Sequence, residues 1–336
     1  MMDTRLMFEE NAALIALLTT IDRKRDSWTS IANNVEREGS AIRLLMHDMD
    51  PKANKLYGNE DPDDYEAGDL TLFDDGPDPD RQAALEQARQ TARIRLRTWI
   101  DNGLDFISVL DPRYPNRLRQ VVDMPPFLFA EGTLRQDELG VSVVGSRHAT
   151  PDALAFARET ASMLVHDNLT VIAGLAAGVD TAAHRQTLDE GGRTVAFIGT
   201  GITRQYPPSN HDLQREIGER GLILSQFWPD QGPTKHTFPM RNASMSGYGV
   251  ATVVVQAGEH SGTRIQARQA QKHGRPVILR DQVVRTTQWG HDLADRPSVY
   301  VASTVEDVRN AIEDILGMGH RMQAALDQLI DSYRVA

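Results

Sequence analysis

The chain has 336 residues, no cysteine and a formal net charge of −11 at pH 7. The absent thiols exclude a disulfide framework and a thiolate zinc site. No apolar run reaches the ~18–20 residues of a membrane span and no signal-peptide pattern opens the chain, so the expectation is a cytoplasmic protein of about two domains with no membrane association.

Residues 1–57 read as a small helical domain. Asn11 to Ile21 and Ala41 to Met46 are apolar at helical spacing, with capping-type residues Ser27 and Ser30 between them. A small binding module and a helical cap on the main domain both fit. Residues 58–80 form an acidic loop, with ten carboxylates between Glu60 and Asp80 and no Lys or Arg. This stretch accounts for ten of the eleven net negative charges, so the rest of the chain is close to neutral and can still hold a basic groove. Two readings are open for it: a solvated linker, or a mimic of DNA that occupies such a groove.

Residues 81–134 are a helix and a connector. The helix carries Leu85, Ala88, Ile94, Leu96 and Ile100 as apolar contacts, and Arg89, Arg93, Arg95 and Arg97 as a charged face turned to solvent or to nucleic acid. Gly103 stops it. Pro125-Pro126 then sets an extended entry into Phe127-Leu128-Phe129, read as an edge strand.

From 135 to 316 short apolar, β-branched runs alternate with helical segments, which is the pattern of an α/β domain with a mainly parallel sheet and helices on both faces. Residues 317–336 read as one more, C-terminal helix. The strand readings are Val141 to Val144, Leu169 to Ala173, Val195 to Ile198, Leu222 to Leu224, Thr252 to Val255, Pro276 to Leu279 and Ser298 to Val301. Five of these end in a short polar or glycine turn. In open parallel sheets ligands bind beyond the carboxyl ends of the strands, where such turns converge.

The turns carry the candidate chemistry. Gly145-Ser146-Arg147 pairs a hydroxyl with a forked guanidinium, a grip for phosphate or half of a surface ion pair. Gly174-Leu175-Ala176-Ala177-Gly178 allows close backbone approach and opens a helix whose N-terminus suits an anion. Asp180 and His184, four apart on that helix, are either an acid–base pair or a cap and a hydrogen bond that hold the loop. Gly199-Thr200-Gly201 leads to Tyr206-Pro207-Pro208, where Tyr206 stacks on a base or packs on the sheet. Lys235, His236, Phe238, Arg241 and Asn242 fall in one loop, mixing cations with an aromatic ring as single-stranded nucleic acid requires. Ser261-Gly262-Thr263 opens a helix and makes a second anion site. Gln226, Gln256 and Gln266 place neutral amides where a hydrolase keeps carboxylates, and no Walker loop, complete GxGxxG, HExxH or GxSxG occurs.

From about Leu110 to Leu279 the chain resembles the DprA/Smf DNA-processing family. The resemblance rests on DPRYPNRL with PPFLFAEG, VSVVGSRHAT, GLAAGVDTAAH, GTGITRQYPPSN, FPMRN, and SGTRIQA followed by GRPVIL, all in order. It implies an extended Rossmann-like fold and a protein that is not an enzyme, needs no cofactor or metal, and binds and protects single-stranded DNA. The implied partners are that DNA, a RecA-type recombinase loaded in DNA uptake and recombination, and a second copy of the chain. The implied DNA site comprises Gly145, Ser146 and Arg147; Gly174, Leu175, Ala176 and Gly178; Gly199 and Gly201; Lys235, Phe238, Arg241 and Asn242; and Ser261, Gly262 and Thr263. Asp180, His184 and Tyr206 would hold the loops. Several positions depart from the family pattern: Gln226 and Gln256 replace glutamates, Ala243 replaces the second arginine of RNR, Arg280-Asp281 replaces proline–glycine, and the winged-helix domain of many members is not expected here. The runner-up is a Rossmann-like nucleotide-derivative sensor or a relative of the LOG-type phosphoribohydrolases, in a mobile-element or phage-defence context. In those enzymes the catalytic glutamate falls where this chain has Gln266, and without a carboxylate general acid–base gains of ~10²–10⁴ are out of reach.

Overall fold

The structure is a computed structural model and describes residues 4–20, 27–49 and 79–318. The acidic stretch up to 78 and the segment from 319 onward lie outside the described residues. Contacts divide the chain into two units, one of residues 1–114 with 125–127 and the other of 115–124 with 128–336.

The first unit holds helices α1 (Thr4–Thr20), α2 (Trp28–Glu38), α3 (Ala41–Met49) and α4 (Pro79–Asp101) and strand β1 (Asp105–Ser108). α2 is closed at both ends by its own sequence: Ser27 and Ser30 form a reciprocal capping box, and Gly39 ends the helix in the left-handed conformation. α3 is capped from a distance. The buried Glu10 carboxylate of α1 accepts from the Ala41 and Ile42 N–H groups at 2.6 and 3.0 Å and from Ser40 Oγ at 2.7 Å, where a negative charge offsets the positive end of the helix dipole. α4 packs on α1 through Leu85, Ala92 and Leu96, whereas Ile94 and Ile100 are exposed.

Three of the α4 arginines have partners on α1. Arg89 and Arg93 both pair with Glu9, and Arg97 lies over the Phe8 ring at 5.1 Å. Burial raises the Glu9 carboxyl, but the bonds from Arg93 and Arg89 outweigh it and hold the group below its ordinary range. These ties join α4 to the N-terminal helix α1.

The second unit is an α/β layer structure. Its elements after the short helix α5 (Asn116–Arg119) are β2 (Phe127–Gly132), β3 (Gly140–Gly145), α6 (Pro151–His166), β4 (Thr170–Ala173), α7 (Val179–Asp189), β5 (Thr194–Phe197), α8 (His211–Arg220), β6 (Leu222–Ser225), α9 (Thr237–Tyr248), β7 (Ala251–Gln256), α10 (Gly262–Lys272), β8 (Val277–Arg280), α11 (Asp281–Thr286), α12 (Gln288–Ala294), β9 (Val299–Ala302) and a helix over 305–318. The strands run in the order β2-β6-β5-β4-β3-β7-β8-β9, parallel except for β2 against β6. β3 is therefore the switch point. The chain winds one way through β4, β5 and β6, and the other way through β7, β8 and β9, which opens a crevice beyond the carboxyl ends of β3 and β7.

Alternate residues of each strand face opposite layers. Val141 and Val143 join Val171, Val253 and Ile278 in a core with α6, α7 and the 305–318 helix. Ser142 points the other way, and its hydroxyl reaches the Met245 carbonyl of α9 at 3.3 Å. Each fully buried Val, Leu or Ile contributes about 1.5–3 kcal/mol, so both faces are firmly covered. The strand readings fall on observed strands to within a residue or two. Among the described residues no helix is long and apolar enough to cross a membrane.

Candidate functional site

The loop after β4 is held by hydrogen bonds on every side. Asp180 Oδ2 accepts from the Gly174 N–H at 3.0 Å and the Ala176 N–H at 3.3 Å. Asn210 Nδ2 donates to the Leu175 carbonyl at 2.9 Å, and Thr181 Oγ1 donates to the Ala176 carbonyl at 2.8 Å. Leu175 sits in the left-handed region at φ +58, and this net of bonds holds it there. Gly178, at φ +82, lies so close to the preceding loop that a Cβ would come within 2.2 Å of the Ser146 carbonyl, to which the Val179 N–H donates at 3.3 Å. The loops after β3 and β4 are therefore joined backbone to backbone.

Asp180 is bonded to the loop, whereas His184 is bonded to Thr194 at the start of β5. Burial, then Arg241, hold His184 down to about 3, so it is neutral. The Thr194 hydroxyl donates to the Val171 carbonyl and lies 2.7 Å from His184 Nδ1, so Nδ1 carries the ring proton. Burial pushes the Asp180 carboxyl up, against the pull of Arg241, the two loop amides and Arg147. The Gly174 and Ala176 N–H groups expected to meet phosphates are thus taken by the protein's own carboxylate.

Arg241 is the buried cation of the site. It is 5% exposed, and its Nη1 donates to the Phe197 carbonyl at 3.0 Å. Burial draws it down and Asp180 opposes that shift. Its guanidinium occupies the space that a side chain at Gly174 would fill: a Cβ there would lie 1.4 Å from Nη1.

α9 sets the geometry around Arg241. Phe238, Arg241, Asn242 and Met245 follow the i, i+3, i+4, i+7 spacing of one helix face and line the clefts. The stretch expected as one loop is therefore mostly helix, with only Lys235 and His236 preceding it. Pro239 lies in its first turn, where no intrahelical N–H bond is lost.

Two clefts meet here and share Arg147, Ala176 and Arg241. The smaller, about 60 Å³, is lined also by Gly174, Leu175, Gly199, Tyr206 and Phe238. Arg147 lies over the Phe238 ring at 5.3 Å, and Tyr206 and Phe238 have ring centroids 5.8 Å apart. Arg147 is exposed and ion-pairs with no carboxylate among the described residues. The larger cleft, about 410 Å³, lies at the switch point. It is lined by Gly145 at the end of β3 and Ser146 after it, by Asp180, by Asn242 and Met245 of α9, and by His260, Ser261, Gly262, Thr263 and Gln266 around the start of α10. Ser261 caps α10, accepting from the Thr263 N–H at 3.1 Å.

Gly201 and Lys235 line neither cleft. Gly201 is packed against the Trp228 and Pro229 carbonyls, and its N–H donates to Gln231; Lys235 is exposed on the turn before α9. His260 and Met245 line the larger cleft without a sequence signal of their own, Met245 being one helical turn beyond Arg241 and Asn242. The substituted amides have structural partners: Gln226 accepts from Ser244, and Gln256 bonds the N–H and hydroxyl of Thr150 at the start of α6. Arg280 pairs with Asp152 at 2.7 Å and lies over Phe156. Among the described residues no three His, Asp or Glu side chains are placed to hold a metal ion.

Residues 105–313 match the family described as DNA recombination-mediator protein A. The chain belongs to this family. It is 37% identical over 178 residues to Protein Smf of Synechocystis sp., covering 52% of this chain and 45% of that protein, and 39% identical over 172 residues to DNA processing protein DprA of Streptococcus pneumoniae, covering 51% and 61%. The chain thus spans about half the length of these relatives. Among solved structures it is similar to DprA of Streptococcus pneumoniae, with a TM-score of 0.60 and 30% identity over 68% of this chain and 81% of that one. It also shares its fold with DprA of Helicobacter pylori, whose structure concerns that protein's single-stranded DNA binding mode, with a TM-score of 0.56 and 24% identity over 63% and 96%. The recombination-mediator match covers the second unit's clefts and the end of the first unit.

Proposed function

We propose that this chain binds single-stranded DNA across the Arg147, Phe238 and Tyr206 face, with Arg241 as the fixed charge behind it, Ser146 and Asn242 beside it and Lys235 on the adjoining turn. The bound strand is protected and handed to a RecA-type recombinase by a homodimer of the chain. Family membership supports the polyanion. The observation that carries the reading is the exposed guanidinium of Arg147 set over the Phe238 ring, next to a second ring and a buried arginine. A guanidinium serves phosphate, an aromatic face serves any base, and neither needs a particular sequence. The site performs no cleavage: Asp180 is tied to the loop N–H groups, His184 is buried against Thr194 of β5, and Gln266 cannot act as a carboxylate base.

The test is fluorescence anisotropy on oligo-dT and on a duplex across a salt series. Tight binding of the single strand is expected, with log K falling by about 0.7 per phosphate contact for each unit of log salt. Arg147→Ala is expected to weaken binding and reduce that slope by about 0.7, while Phe238→Ala costs about 1–3 kcal/mol and leaves the slope in place. Unchanged affinity in both variants removes this face from consideration. Recombinase loading is read separately, as relief of the block that a single-strand-binding protein places on a purified RecA-type recombinase. Light scattering of the full chain tests the homodimer.

A further inference from the structure

The larger cleft holds three groups whose hydrogen-bonding capacity the protein itself does not fill. Gln266 of α10 is 2% exposed and lines the cleft, and its Nε2 donor has no hydrogen-bond partner among the described residues. Nε of the buried Arg241, which lines the same cleft, likewise has none. Buried donors are almost always paired in a folded protein, so two of them at one cleft call for an acceptor from outside. The third feature is Asp180, 6% exposed, which lines this cleft too and gives only Oδ2 to the loop N–H groups. A carboxylate beside a track of phosphodiesters repels it, but beside a sugar hydroxyl it accepts a hydrogen bond.

Donors for an anion and an acceptor for a hydroxyl thus share one cavity. About 410 Å³ lies within the range of small-molecule sites. We propose that the cleft binds a ribonucleoside 5′-monophosphate. Its phosphate meets the N-terminus of α10 at Ser261 to Thr263 together with Gln266, and its ribose hydroxyls meet Asp180. Inorganic phosphate lacks the hydroxyls, and a DNA phosphodiester lacks the 2′ hydroxyl. A 5′-phosphorylated strand end offers the same phosphate chemistry but, as DNA, not the ribose; the free ribonucleotide is favoured because Asp180 is then used. Arg147 and Arg241 line both clefts, so nucleotide and strand compete. The inference does not depend on the strand-binding reading.

Isothermal titration of the full chain with AMP, GMP, CMP and UMP, and with dAMP, adenosine and inorganic phosphate, tests it. At least one ribonucleotide is expected to saturate at one per chain, about tenfold or more tighter than its deoxy or unphosphorylated counterpart or phosphate alone, as one hydrogen bond to a charged group implies. Oligo-dT with a 5′-phosphate and with a 5′-hydroxyl are expected to bind alike. Gln266→Leu is expected to lower ribonucleotide affinity about tenfold while raising the thermal midpoint, because the unpaired amide is gone; its oligo-dT affinity stays within about twofold. An amide with a purely structural role does not move the two readouts in opposite directions. Should that variant fail to fold, Gln266→Glu sets a negative charge against the phosphate and is expected to abolish the heat. The proposal is overturned if no ribonucleotide saturates, if ribo and deoxy forms bind equally, if only the phosphorylated oligonucleotide gains affinity, or if both Gln266 variants bind as the wild type does. Loss of oligo-dT binding with ribonucleotide binding intact overturns the strand reading and leaves this one standing.

Discussion

Gly174→Ala is expected to lose about 3–5 kcal/mol of stability, the range for a buried charge whose surroundings are broken. Gly174 is not in the left-handed region, so its backbone would accept alanine. The conflict is with one side chain: the new Cβ would lie 1.4 Å from Arg241 Nη1 and 2.3 Å from its Cζ. A planar guanidinium held by the Phe197 carbonyl cannot retreat without giving up that bond while still buried. The measurement is a double-mutant cycle by urea denaturation. In an Arg241→Ala background the same glycine substitution is expected to cost less than about 1 kcal/mol, since neighbours sharing a contact are strongly non-additive. Equal costs in the two backgrounds would show that Gly174 is required for some other reason.

A comparable loss, again about 3–5 kcal/mol, is expected for Glu138→Ala. Glu138 is buried in the turn before β3 and joins four parts of the second unit. It accepts from Thr170 Oγ1 of β4 at 2.6 Å and from Tyr248 Oη of α9 at 2.8 Å, and it pairs with Arg193 just before β5. Removing it takes the carboxylate from a largely buried guanidinium, which keeps only the Thr133 carbonyl, and leaves a buried phenol without its acceptor. Burial alone would raise this carboxyl, but the Arg193, Thr170 and Tyr248 bonds together hold it below the ordinary glutamate value. A native pKa below the unfolded one contributes stability that is complete above about pH 4.3 and is lost as pH falls through the native value. The gap in urea midpoint between wild type and Glu138→Gln is therefore expected to be wide at pH 7 and to close on acidification. A gap of constant width from pH 7 to pH 3 would mean that the charge of Glu138 does not matter.

Much of this architecture is legible in the sequence. Val141 to Val144 and Thr252 to Val255 are β-branched runs ending in turns, and a parallel sheet follows from burial on both faces. Two things are not legible, for physical reasons. The first is α9: Pro239 and the Thr-Lys-His-Thr approach look like loop chemistry, and only the 238, 241, 242, 245 spacing betrays the helix face. The second is the fate of backbone donors. A glycine turn before a helix advertises free N–H groups, yet the Gly174 and Ala176 groups are consumed by Asp180 four to six residues on. The α4 arginines show the same competition: Glu9, some eighty residues away in sequence, claims two of them.

The contact of Gly178 with the Ser146 carbonyl has a mechanical side. Because the turns beyond the two adjacent strands β3 and β4 touch through main chain, with no side chain to rotate aside, they cannot splay apart like fingers. They behave as one stiff rim. Whatever settles on Arg147 therefore meets a surface whose shape is set before it arrives, and discrimination there comes from fit to that shape rather than from closing around the guest.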